Sequence, residues 1–259
     1  MSGEPWPGPS EEQLRAELSE ASQAMHRRGW VANHDGNITA RLSPDRLLAT
    51  PTATSKGDIT AAMLLVLDSQ GQKVMGTRRP FSELHLHLAA YAARPDIGVV
   101  LHAHPPTATG FAVAHATIDP TMMAEPIVSL GPVIPRVPFY PPKAEALDRA
   151  LGEALRTADV VLLASHGVIT VGGSCEQAFL RMELVEHLAR ITLAAQAAGG
   201  VKTLERSVVE QLASRGRPKS SPCFGSLPTE RAASAGAPIA SASRPDVQGL
   251  VQDALRRFQ

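Results

Sequence analysis

Cysteine is nearly absent from the 259-residue chain: only Cys175 and Cys223 occur. Two thiols are too few for a disulfide framework or a cysteine-based zinc site. Aromatic residues are scarce at 4%, with two tyrosines, Tyr91 and Tyr140, and none beyond 140. Neither sign of charge is in excess: 25 basic residues balance 25 acidic ones, which argues against a nucleic-acid partner. No apolar run approaches the roughly 18 residues of a membrane-spanning helix. The opening "MSGEPWPGPSEEQ" is polar and lacks the apolar core of a signal peptide, so a cytoplasmic protein without a membrane partner is expected.

The apolar content is ample, at 44% of residues, and the length suits one large domain. A Pro-rich arm over 1–9 precedes "SEEQLRAELSEASQAMHRRGW", where Leu14, Leu18, Ala21 and Met25 fall on one helical face behind a Ser10 cap. "NITARLSPDRLLATPT" reads as two strands turning at Ser43-Pro44-Asp45, and "MLLVLDSQGQKVMG" as a second pair turning at 69–71. "PFSELHLHLAAYAARP" switches to helical composition between Ser82 and Pro95. A strand, "DIGVVLHAHPP", follows, then two apolar runs within 121–138 cut by prolines. Leu147, Leu151 and Leu155 stack on a further helix, "DVVLLASHGVITVGG" forms two strands hinged at His166-Gly167, and Ser174 with Gln177 opens a long helix. Helices alternating with strands indicate an α/β core with a mixed or antiparallel sheet. The expected organisation is a folded α/β domain over 10–213, a Ser/Ala/Gly/Pro-rich linker over 214–244, and a short helix over 245–259.

Histidine is an odd choice for the end of a buried strand, yet "GVVLHAHPPT" carries His102 and His104 there. Residues two apart on a strand face the same way, which suits packing, a proton relay or two ligands of one metal. His166 ends a second apolar strand, and Gly167 after it permits a turn with positive φ. If the two strands are near neighbours, three imidazoles converge, with a fourth position open, as in catalytic divalent-metal sites. Glu83 opens the helix leading into the first of these strands and is a candidate ligand or general base. His87, one turn on from Glu83, reads as a hydrogen-bonded interface histidine, and His85 as structural or exposed. No partner is evident for His26, His34, His115 or His187. Gly36 and Asn37 at a strand entrance could offer donors to an anion, and "TPTATSKGD" adds hydroxyls and Lys56.

Taken in order, the GN-(I)T, TPT, SE-x-x-x-H, H-x-H-P and SHG motifs resemble the class II aldolase/adducin family, over about residues 10–200. The resemblance implies a three-layer α/β/α fold with a mixed, largely antiparallel sheet. It implies a divalent metal on His102, His104 and His166, usually Zn2+, with Mn2+, Co2+ or Mg2+ as alternatives. Glu83 would be the acid/base, and Gly36, Asn37, Thr52 and Ser82 would hold the substrate's phosphate. A homotetramer with active sites at subunit interfaces is implied as well.

Three departures bear on the reaction. The expected glycine after TPT is Ala53, and the first of two expected serines is Phe81, a change that would weaken a phosphate anchor and add an apolar contact. Met122-Met123 stands near the place of an aldolase tyrosine. Decarboxylation needs no acid on the aldehyde side. The expectation is therefore a metal-dependent carbon–carbon lyase that stabilises an enolate. Its small-molecule substrate would be a non-phosphorylated, apolar or aromatic hydroxy- or keto-carboxylate that loses CO2. Ketose-phosphate aldolase is the alternative, followed by epimerase or dehydratase, and last a non-enzymatic adducin-like scaffold. Arg78, Arg79, Lys56 and Lys143 read singly as solvated surface charges.

Overall fold

The computed structural model describes residues 9–216. Residues 217–259, which include most of the expected linker and all of the expected C-terminal helix, lie outside the described residues.

Helix α1 (Glu11–Arg27) starts where Ser10 Oγ accepts the backbone N–H of Gln13, and Leu14, Leu18, Ala21 and Met25 are buried as the spacing predicts. Two hairpins follow: β1 (Asn37–Ser43) with β2 (Arg46–Ala49), then β3 (Leu65–Asp68) with β4 (Lys73–Met75). Helix α2 (Leu84–Ala93) leads into β5 (Val99–Ala103), and α3 (Pro106–Val113) leaves it. The proline-cut region becomes a short helix, α4 (Ala124–Leu130), and a two-residue strand, β6 (Arg136–Val137). Helix α5 (Glu145–Leu155), strands β7 (Val160–Leu163) and β8 (Gly167–Gly172), and helix α6 (Cys175–Ala197) complete the core.

The eight strands form one sheet in the order β4-β3-β2-β1-β5-β8-β7-β6, antiparallel throughout except for the β6–β7 pair. Strand alternation divides the core between the two faces. Leu101 and Ile38 pack with α1, α3 and α6 through Leu18, Phe111 and Met182. Val100 and Ile169 pack with α2 and α5 through Leu86, Leu147, Leu151 and Leu155. Each fully buried leucine contributes about 1.5–3 kcal/mol. The result is the expected three-layer α/β/α arrangement.

A seventh helix, α7 (Arg206–Gly216), was not expected from the sequence. It buries Val209 and Ala213 against Ile127 of α4, and it runs through residue 213, where the expected domain boundary fell. Its apolar face is only those few residues, too short a pattern to stand out beside the Ser/Gly/Pro-rich stretch after it.

Candidate active site

Three central strands assemble the site. Asn37 of β1 pairs with His102 of β5, and His102 pairs with Ile169 of β8. His166 lies in the turn joining β7 to β8, at the same end of the sheet. In that turn Ser165, not Gly167, takes the positive φ, at 57°. Gly167 is needed for close approach: a Cβ there would lie 2.4 Å from His104 Cδ2 and 2.8 Å from the Ala103 carbonyl. Gly36 does combine both demands, with φ 72° and a Cβ position 3.0 Å from the His102 carbonyl. Beyond His104, buried Glu186 of α6 accepts the Ala108 N–H at 2.8 Å and so caps α3.

The three predicted histidines converge. Ring centroids are 4.9 Å apart for His102 and His104, 4.7 Å for His102 and His166, and 5.2 Å for His104 and His166. One ligand atom from each lies within 4.8 Å of the others. His102 Nδ1 donates to the Val168 carbonyl at 2.9 Å, so its Nε2 lone pair faces the cluster, 3.1 Å from His104 Nε2. His104 Nδ1 lies 3.5 Å from Asp35 Oδ2. Burial pushes His102 down to about 3 and also lowers His104, so both rings are neutral at pH 7. His102 and His104, backed on the far nitrogen by the Val168 carbonyl and the Asp35 carboxylate, together with His166 make the imidazole donor set that a divalent ion takes. The cluster therefore fits such an ion.

Glu83 caps α2 and aims its carboxylate at the cluster. Oε1 is 2.8 Å from His166 Nε2 and Oε2 is 3.6 Å from His102 Nε2. Burial alone would raise this carboxyl. The His166 hydrogen bond, the neighbouring His102 and His166 imidazoles, and the Asn37 amide outweigh it and hold Glu83 below the usual carboxylate range. Asn37 Nδ2 donates to Oε2 at 2.9 Å, so Asn37 serves Glu83 here as well as facing the site. His87 is the interface histidine that its position suggested, fully buried between α2 and β1. His85 is instead tied to Asp148 of α5 at 2.6 Å.

The 51–54 turn is tied to the segment that leads into Glu83. Thr52 donates its backbone N–H to the Arg79 carbonyl at 3.0 Å, and a bridge between Pro51 and Pro80 aligns the 51–54 turn with the chain entering Ser82. Ser82 is exposed and Thr52 half-buried, whereas Phe81 is 8% exposed and sits in the α2/α5 core, edge-on to His87. Lys56 is no surface charge. It is 2% exposed, its Nζ donates to the carbonyls of His34 and Thr54, and burial pushes it down to about 8 against the charges of Asp35 and Glu83. Arg78 is half-buried and donates to Thr54 Oγ1 at 2.9 Å, while Arg79 and Lys143 are exposed. Asp35 and Arg78 are the residues that sequence reasoning passed over or discounted. The only local sign of Asp35 was an acidic residue beside Gly36.

The family profile described as Class II Aldolase and Adducin N-terminal domain matches residues 16–193. The chain belongs to the class II aldolase/adducin family. Among relatives of this family, it is 27% identical over 205 residues to a 3-oxo-tetronate 4-phosphate decarboxylase of Haemophilus influenzae, covering 77% of this chain and 96% of that one. It is 29% identical over 169 residues to an L-fuculose phosphate aldolase of Methanocaldococcus jannaschii, covering 65% of this chain and 90% of the other. A solved structure of YgbL, a putative aldolase/epimerase/decarboxylase from Escherichia coli, superposes with a TM-score of 0.72 at 25% identity, over 78% of this chain and 99% of that one. With histidine triad and acidic residue together, this member of the class II aldolase/adducin family is a metal-dependent lyase. The Ala53 departure from the family's TPT-glycine pattern also costs less than the sequence suggested. Ala53 takes φ 53°, a left-handed conformation open to glycine without strain, so the turn adopts here a backbone shape that glycine would also allow.

Proposed function

We propose that the protein is a decarboxylase of a small 3-oxo-carboxylate, with Zn2+ held by His102, His104 and His166, working in the cytoplasm as a homotetramer with active sites at subunit interfaces. One observation carries the reading. Glu83 sits within hydrogen-bond reach of the histidine cluster, while Met122 and Met123, where an aldolase would need a proton donor, are half-buried against the core. Similarity to the decarboxylase relatives supports it. The ion would supply Lewis acidity that stabilises the enolate left when CO2 departs. The chain relays the proton. Oε2 of Glu83 is committed to the Asn37 amide. Oε1, released were His166 Nε2 to ligate, is the atom that would take up a proton from solvent and pass it to the enolate carbon.

The far end of the substrate lies toward Thr52, Ala53 and Ser82. The retained left-handed turn at Ala53, with Arg78 against Thr54, suits an anionic group there. Phe81 lies in the core and offers no aromatic contact, so a phosphate or second carboxylate is favoured over the apolar end expected from the sequence. The test is product analysis of the metal-loaded protein over phosphorylated and unphosphorylated 3-oxo acids and ketose phosphates. CO2 release is expected; aldehyde release without CO2 would establish the aldolase reading instead.

A further inference from the structure

Five side chains interleave between strand β1 and helix α2: Glu83, Asn37, His87, Thr39 and Tyr91, in that spatial order. Asn37 and Thr39 are two apart on the strand and share a face; Glu83, His87 and Tyr91 are four apart on the helix and share a face. Two strand residues rise about 6.6 Å and four helical residues about 6.0 Å, so the two rows stay in step. Asn37 Nδ2 is 2.9 Å from Glu83 Oε2, His87 Nε2 is 2.6 Å from Asn37 Oδ1, and Thr39 Oγ1 is 2.8 Å from His87 Nδ1. Tyr91 Oη donates to the Thr39 carbonyl at 3.0 Å.

Hydrogen-bond chemistry gives this ladder one direction. An ionised carboxylate only accepts, so the amide nitrogen of Asn37 must face Glu83 and its oxygen must face His87. That oxygen needs a donor, so the proton of the neutral His87 ring is on Nε2. Nδ1 is then bare and takes the Thr39 hydroxyl proton. His87 is fully buried, with no solvent to supply an alternative partner.

We infer that His87 is a positioning residue: its Nε2–H locks the Asn37 amide so that Glu83 Oε2 is permanently occupied and only Oε1 is free to exchange a proton with substrate. The inference rests on the acid/base reading of Glu83. Without the His87 donor, the buried Asn37 oxygen is left unpaired and the amide loses one of its two anchors, so the angle at which it holds Oε2, and with it Glu83, is no longer fixed. Misplacing a reacting group by about 1 Å can cost on the order of 100-fold in rate.

Nitrogen-15 NMR of the zinc-loaded full-length protein tests the ladder independently of turnover. A protonated Nε2 and a bare Nδ1 at His87 are expected; the opposite tautomer would overturn the inference. In turnover, His87→Phe should lower kcat roughly 10- to 100-fold, with KM and zinc content nearly unchanged. His87→Gln, whose side-chain N–H can reach the same Asn37 oxygen, should recover most of kcat. Equal losses in both variants, or full activity in His87→Phe, would refute the positioning role. Should His87→Phe fail to fold, the glutamine variant and the wild-type tautomer decide the matter. A wild-type protein without lyase turnover would sink the proposed reaction, and the tautomer would still decide the ladder.

Discussion

Asp35 Oδ2 lies 3.5 Å from Nδ1 of His104, on the ring edge opposite the Nε2 that faces His102. The carboxylate thus keeps the His104 proton on Nδ1 and turns the Nε2 lone pair inward. Removing such a partner lowers metal affinity by about 10- to 100-fold. Asp35→Ala is expected to do so while leaving the fold intact, as read by competition with a chelator and by circular dichroism. Unchanged affinity would mean that His104 is oriented by packing alone.

His104→Ala should remove metal and activity together, because it deletes one of only three clustered imidazoles. Glu83→Gln should retain metal and lose about 10²- to 10⁴-fold in kcat, the usual contribution of a positioned acid/base. Metal content by elemental analysis, measured beside turnover, separates the two. Full activity in Glu83→Gln would show that another group moves the proton.

His87 makes part of the acid sensitivity of the fold. Burial, reinforced by the neighbouring His102 and only partly opposed by Glu83, pushes it down to about 3 from its ordinary 6.5. Between these values the unfolded chain takes up a proton that the folded one refuses, so stability falls as pH drops from 6.5 toward 3. The slope reaches about 1.4 kcal/mol per pH unit for one such group. His87→Phe is less stable than wild type at pH 7, and the gap should narrow as the pH falls through this window. Denaturant melts at pH 4, 5, 6 and 7 give the comparison; a gap independent of pH would show that His87 is charged in the folded protein.

Ala53 occupies the left-handed region at φ 53°, a conformation that costs an L-residue about 1–2 kcal/mol and glycine nothing. Ala53→Gly should therefore stabilise the protein by about 0.5–1 kcal/mol once the greater freedom of the unfolded glycine is offset. Ala53→Val should destabilise it. Thermal melts measure both, and a destabilised glycine variant would place the conformation of this turn elsewhere.

Much of the architecture was legible because its signals are local. The four apolar positions of α1, the Ser43–Asp45 turn, the leucine stack of α5 and the Ser174 cap each declare an element within a few residues. The HxH spacing likewise needs only the two-residue period of a strand to put His102 and His104 on one side. Helix α7 escaped because its buried face is two residues wide, and its partner, Ile127, lies about eighty positions away.

Sequence by itself determined most of the elements (though not α7), the family resemblance and which histidines and carboxylate were chemically suited to a metal. Only the tertiary structure decided that β8 lies beside β5, that Lys56 is buried under two carbonyls, and that Asp35 backs His104. It also decided that Asn37, His87 and Glu83 form one directed hydrogen-bond ladder. Periodicity acts over one or two turns of chain, whereas these relations depend on strand register and helix docking between residues tens of positions apart.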